Sequence, residues 1–265
     1  MSLEIMKDPR IRQVEWKDLL SLSKYEVIKE LFISLPWLVS SLYLAHQGFY
    51  LIALALSFIF FLTGLRQVHN AYHYALGISN KLTEWTIFAL SLLMLGSMHA
   101  VQITHLEHHK HCMDEQDVEA ASAKLSGLKA ILVGPLFPIR LHLKALSIAK
   151  GKQKRWIYLE LIATLAIIIL AFGVLDLQML KYHILAMTIG QCLTSFFAVW
   201  TVHHDCDRYH FIARTLRGRV KNFISFNMFF HVEHHLYPKV PTCHLPKLAT
   251  RLDKMAPELS QKQVF

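Results

Sequence analysis

Histidine is the residue whose number and spacing promise chemistry in this chain, with 17 among 265 residues. Eight fall in three tight groups: His69-Asn-Ala-Tyr-His73, His105-Leu-Glu-His108-His109 and His231-Val-Glu-His234-His235. Residues three or four apart share one face of a helix, so each group aims two or three imidazoles at one point. Imidazole suits Fe, Zn, Cu and Ni. Eight rings exceed what one zinc can use, since zinc takes four ligands and only three from protein when catalytic. Two ions of higher coordination number would use them all. A His-ligated pair of irons is the natural candidate, and activation of O2 its obvious use. A zinc protease is excluded, because neither HExxH nor HxxEH occurs in either glutamate-containing group. One such group could be an interfacial accident, but three, two of them of the form H-x-E-H-H, are poorly explained that way. The lone His46, His99, His142, His183 and His244 read as interfacial or packed, and His111 is out of register with its neighbours.

The elements that position these groups must be apolar helices. Hydrophobic residues make up 54% of the chain and charged residues 18%, against roughly 45–50% and 25% in soluble domains, which excludes disordered, collagen-like and coiled-coil chains. The four cysteines lie far apart without a CxxC, supporting neither a disulfide framework nor a zinc ribbon. The first thirty residues lack the pattern of a cleaved signal peptide. No Asp, Glu, Lys or Arg occurs in residues 31–65. A span needs about 20 residues, so this run predicts two spans, roughly 31–46 and 49–66, turning at His46-Gln47-Gly48. Two more runs, 156–175 (interrupted only by Glu160) and 182–204, predict a second hairpin. Residues 127–143 contain Pro135 and Pro138, which break helix interiors, and predict an amphipathic surface segment.

Basic residues set the topology. With the tips at 46–48 and 176–182 on one side, 27 of the 28 Lys and Arg fall on the other, which the positive-inside rule makes cytoplasmic. The net charge of +9 then reads as affinity for a membrane surface, with no nucleic acid involved. A single crossing by the uncharged run 85–106 would put His69 and His73 across the bilayer from His105, so that run should lie along the interface or dip in and out. The expected architecture is an all-α integral membrane protein. About four transmembrane helices form two hairpins, with a cytoplasmic helical cap and interfacial helices carrying the histidines. It is one domain over residues 1–265, with its core at about 31–250 and both termini cytoplasmic.

The boxes HNAYH, HLEHH and HVEHHLYPKVP, with paired hydrophobic hairpins between them, resemble the membrane fatty acid desaturase superfamily. That superfamily includes acyl-lipid desaturases, alkane and fatty acid hydroxylases, carotenoid ketolases and hydroxylases, and a terminal-alkene-forming decarboxylase. The resemblance covers about residues 31–250. It implies a non-haem di-iron site with O2 as co-substrate, a role in lipid metabolism, and electrons from a ferredoxin, rubredoxin or cytochrome b5 type donor. It also implies metal ligation by His69, His73, His105, His108, His109, His231, His234 and His235. Family members usually add a ligand from the end of the last span. Here that stretch, Trp200-Thr-Val-His203-His204-Asp205-Cys206-Asp207, does not align cleanly with the Asn-and-His arrangement of some acyl-CoA desaturases. His203 is the first choice and His204 the second, because a helix cannot point both at one metal. Asp207, four residues after His203, and Glu107 and Glu233 inside the boxes are either orienting carboxylates or solvated.

At such a site the cofactor makes the oxidant and the protein holds one C–H bond against it. Ala53, Ala55, Gly64, Ala75 and Gly77 leave room for an acyl chain or serve helix packing. The third-box context, FHVEHHLYPKVP followed by LPKL, looks more like bacterial acyl desaturases than alkane hydroxylases, while the short length resembles carotenoid ketolases. Introduction of a double bond into an acyl chain in the membrane therefore ranks ahead of oxygen insertion by a hydroxylase or ketolase, and of decarboxylation. No His-Pro-Gly-Gly and no Gly-rich dinucleotide fingerprint occurs, so reducing power comes from a separate protein. Lys150, Lys152, Lys154, Arg155, Arg214, Arg217, Arg219 and Lys221 would attract an acidic donor or anionic lipids. A non-catalytic metal carrier would hold its ligands within the spans near the midplane. Here they lie at span ends, which favours the enzyme.

Overall fold

The computed structural model describes residues 5–264, which form helices and turns and, among the described residues, no strand beyond isolated bridges at Thr215. Four helices are long and apolar enough to cross a membrane: α1 (Lys24–His46), α2 (Tyr50–Tyr72), α6 (Gly151–Val174) and α7 (Gln178–His203). The all-α membrane architecture read from the sequence is the one observed. The first hairpin extends beyond the uncharged run at both ends. A capping box between Ser23 and Glu26 starts α1, which satisfies otherwise orphaned backbone donors. The charges at the ends of the two helices remote from the tip are matched inside the hairpin. Arg66 of α2 bonds Glu30 of α1, and Glu30 also accepts from Asn70 Nδ2 at 2.9 Å. Paired and hydrogen-bonded charges can be buried where lone ones cannot. Gly48 turns the tip at φ +82°, a conformation that strains any side chain. The hairpins are tied together by Ser57, whose Oγ lies 2.6 Å from Ser41 Oγ and 2.9 Å from Tyr182 Oη.

The run 85–106 becomes two helices, α3 (Asn80–Met94) and α4 (Met98–His111), bent by 111°. So sharp a bend is the shape of a broken span or of a segment that enters and turns back. The bend puts the start of α4 in the interior, where its orphaned N–H groups need partners. Side chains from three other elements supply them. Ser97 N donates to His142 Nε2 (3.0 Å), Met98 N to Ser91 Oγ (2.9 Å), His99 N to Glu160 Oε2 (3.2 Å), and Ala100 N to Ser97 Oγ (3.1 Å). The wholly buried Glu160 also receives bonds from Ser91 Oγ, Ser97 Oγ and His99 Nδ1. The one charge in the run 156–175 is therefore an N-terminal anion for α4, where the helix dipole favours it.

Residues 127–148 lie on the surface as expected, ending in α5 (Phe137–Ile148), with Phe137, Leu141 and Ala145 inward and Leu132, Ile139 and Leu143 outward. Gly134 lets this segment rest on α7, because a Cβ there would stand 1.9 Å from the Cys192 carbonyl oxygen. The cap comprises α8 (Arg219–Ile224), α9 (His231–Leu236) and α10 (Leu245–Met255), of which α9 and α10 pack on the N-terminal segment through Ile11, Val14, Leu19, Val232, Leu248 and Leu252.

Candidate metal centre

The ends of α2, α4 and α7 converge on α9 and bring all eight box histidines, with His203, into one cluster of two groups, in which every ring but the half-buried His109 is buried. The first holds His69 and His73 of the α2 end, His105 and His109 of α4, and His234 of α9. Nε2 of His105 lies 3.1 Å from Nε2 of both His73 and His109; His109 Nε2 lies 2.9 Å from His234 Nε2; and the His69 and His234 rings are 4.0 Å apart. The second holds His108 of α4, His203 of α7, and His231 and His235 of α9. Its Nε2 pairs are 3.2 Å (His108–His203), 3.3 Å (His108–His235), 3.0 Å (His203–His231) and 3.3 Å (His231–His235). The groups adjoin, with the His109 and His235 rings 4.4 Å apart.

Each HxxHH box divides between the groups, where the sequence had suggested one target per box. The i, i+4 pairs His105/His109 and His231/His235 stay together, while His108 and His234 go to the other group. At 3.6 residues per turn, i and i+4 lie about 40° apart on the helix while i+3 lies about 100° from i+4, so one short helix serves two targets.

The tautomers explain why these contacts need a cation. A neutral imidazole has one N–H and one lone pair. His203 Nδ1 lies 3.1 Å from the Ile212 carbonyl oxygen, which can only accept, so Nδ1 carries the proton and Nε2 is bare. His108 Nδ1 donates to Asp117 at 2.8 Å, and His105 Nδ1 to Glu119 at 3.0 Å, which turns Nε2 of each ring toward the cluster. Nε2 of His108 and Nε2 of His203, 3.2 Å apart, need a cation between them, a proton or a metal ion, because two lone pairs at that distance repel. Both ring nitrogens of buried His69, and Nδ1 of His235, have no hydrogen-bond partner, although buried polar groups nearly always find one. His231, His234 and His235 are held well below the usual histidine pKa, first by burial and then by neighbouring imidazoles. They are neutral and ready to ligate. This donor set fits two transition-metal ions.

His203 points inward, while His204 leaves the cluster, stacks on Trp200 (centroids 4.0 Å apart) and donates from Nδ1 to the Trp200 carbonyl at 2.8 Å. Helix α7 widens to a π-helix over Ser195–Trp200, and such a bulge shifts the register of the residues beyond it. The orienting carboxylates are Asp117 and Glu119, which the box-centred reading missed. Their signal is an Asp-x-Glu just past the second box. Asp117 also accepts from backbone N–H of Met113, Glu119 and Ala120. Burial pushes its carboxyl up, but the bond from His108 and those backbone donors outweigh this and hold it below the usual range.

None of the three acids read as either orienting or solvated orients a box histidine. Asp207 accepts from the N–H groups of Tyr209 and His210 and does not touch His203. Glu107 is half-buried and faces Lys110 and His111. Glu233 is buried but bonds Thr215 and Arg217, which is also held by Asp253 of α10. Arg217 and Arg214 are thus structural, Arg214 bonding the carbonyls of His204 and Gln263. Of the small residues near box one, Gly64 packs on Met94, and Gly77 lies at φ +70° against Val27 and Leu22. They serve helix contact and turn geometry.

Comparison with known proteins agrees with this geometry. Residues 45–264 match the family described as fatty acid desaturase, and no curated protein matches the chain. With most of its length matched, two apolar hairpins and a buried imidazole cluster at their ends, the chain belongs to the fatty acid desaturase family and is an integral membrane protein.

Proposed function

We propose that this chain is a non-haem di-iron oxidoreductase that uses O2 to introduce a double bond into an acyl chain in the membrane. The supporting observation is the pair of imidazole groups whose Nε2 atoms face one another, those of His108 and His203 3.2 Å apart. His69, His73, His105, His109 and His234 would hold one iron, and His108, His203, His231 and His235 the other. Iron bound there supplies the oxidising power that an unactivated C–H bond requires. The protein's part is to fix the rings. Asp117, Glu119 and the Ile212 carbonyl hold the Nδ1 protons of His108, His105 and His203, keeping each Nε2 aimed inward. The buried walls exclude water. Removing two hydrogens from adjacent carbons while reducing O2 to two waters takes two electrons and two protons, and a separate redox protein delivers the electrons.

The charge distribution supports placing both termini and the histidines on the cytoplasmic side. Oxygen insertion into the same C–H is the second reading, since both reactions begin with hydrogen abstraction. A metal carrier is disfavoured because the nine rings, eight of them buried, are gathered at helix ends. The test is purification with iron and comparison of lipids from cells with and without the protein. Two irons per chain and a lipid short of two hydrogens are expected; a gain of one oxygen selects the second reading. His108→Ala or His234→Ala should abolish turnover while leaving the protein in the membrane. Far fewer than two irons, or oxygen uptake indifferent to lipid, would overturn the proposal.

A further inference from the structure

A cavity of about 490 Å³ opens between the first turns of α3 and α6, walled by Tyr74, Trp85 and Trp156 and edged by Lys81, Glu84 and Lys152. A hollow of about 240 Å³ adjoins it at Lys152 and Trp156 and adds Arg155 and Leu159. The two indoles meet at right angles, with ring planes 89° apart and centroids 5.2 Å apart. No box histidine lines either space.

Positive charge is in excess here. The carboxylate in the wall, Glu84, has a partner on each oxygen: Tyr74 Oη donates to Oε1 at 2.6 Å, and Lys152 Nζ stands 3.3 Å from Oε2. Nε2 of the buried His99, which has no hydrogen-bond partner, also faces Oε2, at 3.9 Å. Among the described residues, Lys81 and Arg155 have no carboxylate partner. Helices α3 and α6 both begin at this place, at Asn80 and Gly151, and the N–H groups of a first turn carry partial positive charge. The Lys152 side chain is 74% exposed, and ion pairs so exposed contribute little. Lys152 can therefore turn to a stronger anion, while Glu84 keeps its bond from Tyr74. A phosphate placed there meets Lys81, Lys152 and Arg155 together with two helix starts.

Beside these cations the surface is apolar. Leu82 and Trp85 of α3 and Leu159 and Ile162 of α6 are exposed, and α6 is one of the membrane-crossing helices, so these side chains meet hydrocarbon. Tryptophan next to lysine marks the level of the lipid headgroups. A soluble phosphate compound would leave the apolar flank uncovered, and the choline of a zwitterionic lipid would bring one more cation among those present. We infer that this cavity binds the headgroup of an anionic phospholipid, with its phosphate held by Lys81, Lys152 and Arg155 and its chains lying along Trp85, Leu159 and Ile162. The cavity of about 490 Å³ equals roughly sixteen water-sized groups, room for a phosphate and a glycerol. A lipid seated there joins α3 to α6, and the site is independent of the reaction proposed above.

Native mass spectrometry of the whole chain, delipidated in detergent, tests this. Phosphatidylglycerol should bind more tightly than phosphatidylcholine with the same acyl chains, and inorganic phosphate should not displace it. Lys81→Gln with Lys152→Gln changes two exposed side chains and should weaken phosphatidylglycerol about 25-fold, each lysine near a membrane surface counting for about fivefold. Lys239→Gln with Lys247→Gln removes the same charge elsewhere and should leave binding within a few-fold of wild type. Phosphatidylglycerol with a diazirine in one chain should crosslink to residues 82–89 or 155–162. Equal affinity for the two lipids, displacement by inorganic phosphate, equal weakening by the two double variants, or crosslinks confined to other helices would each overturn the inference, and none of these results bears on the metal centre.

Discussion

Replacing Asp117 by Asn should damage the second imidazole group far more than Glu119→Gln damages the first. Asp117 is nearly inaccessible and uses both oxygens: Oδ2 accepts from His108 Nδ1 and Met113 N, and Oδ1 from Glu119 N and Ala120 N. An amide turns one of those oxygens into a donor. Whichever way Asn flips, two buried N–H groups lose their acceptor, at about 1–3 kcal/mol each. If the amide nitrogen faces His108, that ring must shed its Nδ1 proton to Nε2 and ceases to be a ligand. Glu119 differs, because only Oε1 is bonded, to His105, and Oε2 has no partner. A glutamine there keeps its one useful acceptor. Orienting partners of metal-bound histidines typically contribute about 10- to 100-fold in metal affinity, or about 1.4 to 2.8 kcal/mol at 1.4 kcal/mol per decade. A chelator titration of iron-loaded protein should therefore show one of two irons released about 10- to 100-fold more readily in Asp117→Asn, with Glu119→Gln within a few-fold of wild type. Equal effects from the two variants, or two tightly held irons in Asp117→Asn, would show that the hydrogen bond does not govern the ring.

His203→Ala should lower bound iron from two per chain toward one, whereas His204→Ala, which removes only a ring stacked on Trp200, should leave metal analysis unchanged. Equal loss would reverse the assignment. Stability should also depend on pH through His142, whose Nδ1 donates to the Pro138 carbonyl while Nε2 accepts from Ser97 N, a pattern only the neutral ring can make. Burial, opposed by the Pro138 bond, holds its pKa below the usual value. The stabilisation is complete above the unfolded pKa of about 6.5 and is lost as pH falls below it, at up to about 1.4 kcal/mol per pH unit. Thermal denaturation should show a fall from about pH 7.5 to about pH 5.5 that is shallower in His142→Gln, which keeps an acceptor without titrating; parallel curves would remove His142 from the account.

The hairpins were legible because span length is fixed by the bilayer, and the boxes because helical spacing makes neighbours of residues three and four apart. Each box's division between two groups was available in principle, but it depends on where the other helices stand. His203 could be ranked over His204 but not placed, because the π-turn at Ser195–Trp200 comes from packing: Ser195 Oγ bonds the Ala130 carbonyl and Trp200 Nε1 the Leu125 carbonyl. Asp117 and Glu119 escaped notice because carboxylates inside the boxes looked nearer. On a helix, Glu107 and Glu233 point away from the histidines beside them, whereas the turn after α4 brings Asp117 and Glu119 back beneath its rings.

The polar groups buried along the apolar helices share a task that stability alone does not explain. A buried ion pair is often no better than apolar residues of the same volume, yet Glu30–Arg66 persists at the end of α2 that carries His69 and His73. Arg66 also bonds the Phe226 carbonyl, and Asn70 accepts from Thr242 N and Oγ1, so the pair joins box one to the segments flanking box three. Its value is therefore geometric: a ligand set must be held to within about 0.5 Å to function. Glu30→Leu alone leaves the Arg66 charge unpaired and should cost about 3–5 kcal/mol, whereas Glu30→Leu with Arg66→Met should come close to wild-type stability. If rigidity is what the pair supplies, the double variant will melt near wild type yet turn over lipid at least tenfold more slowly and release iron from the first group faster. A double variant as active as wild type would assign the pair to folding history alone.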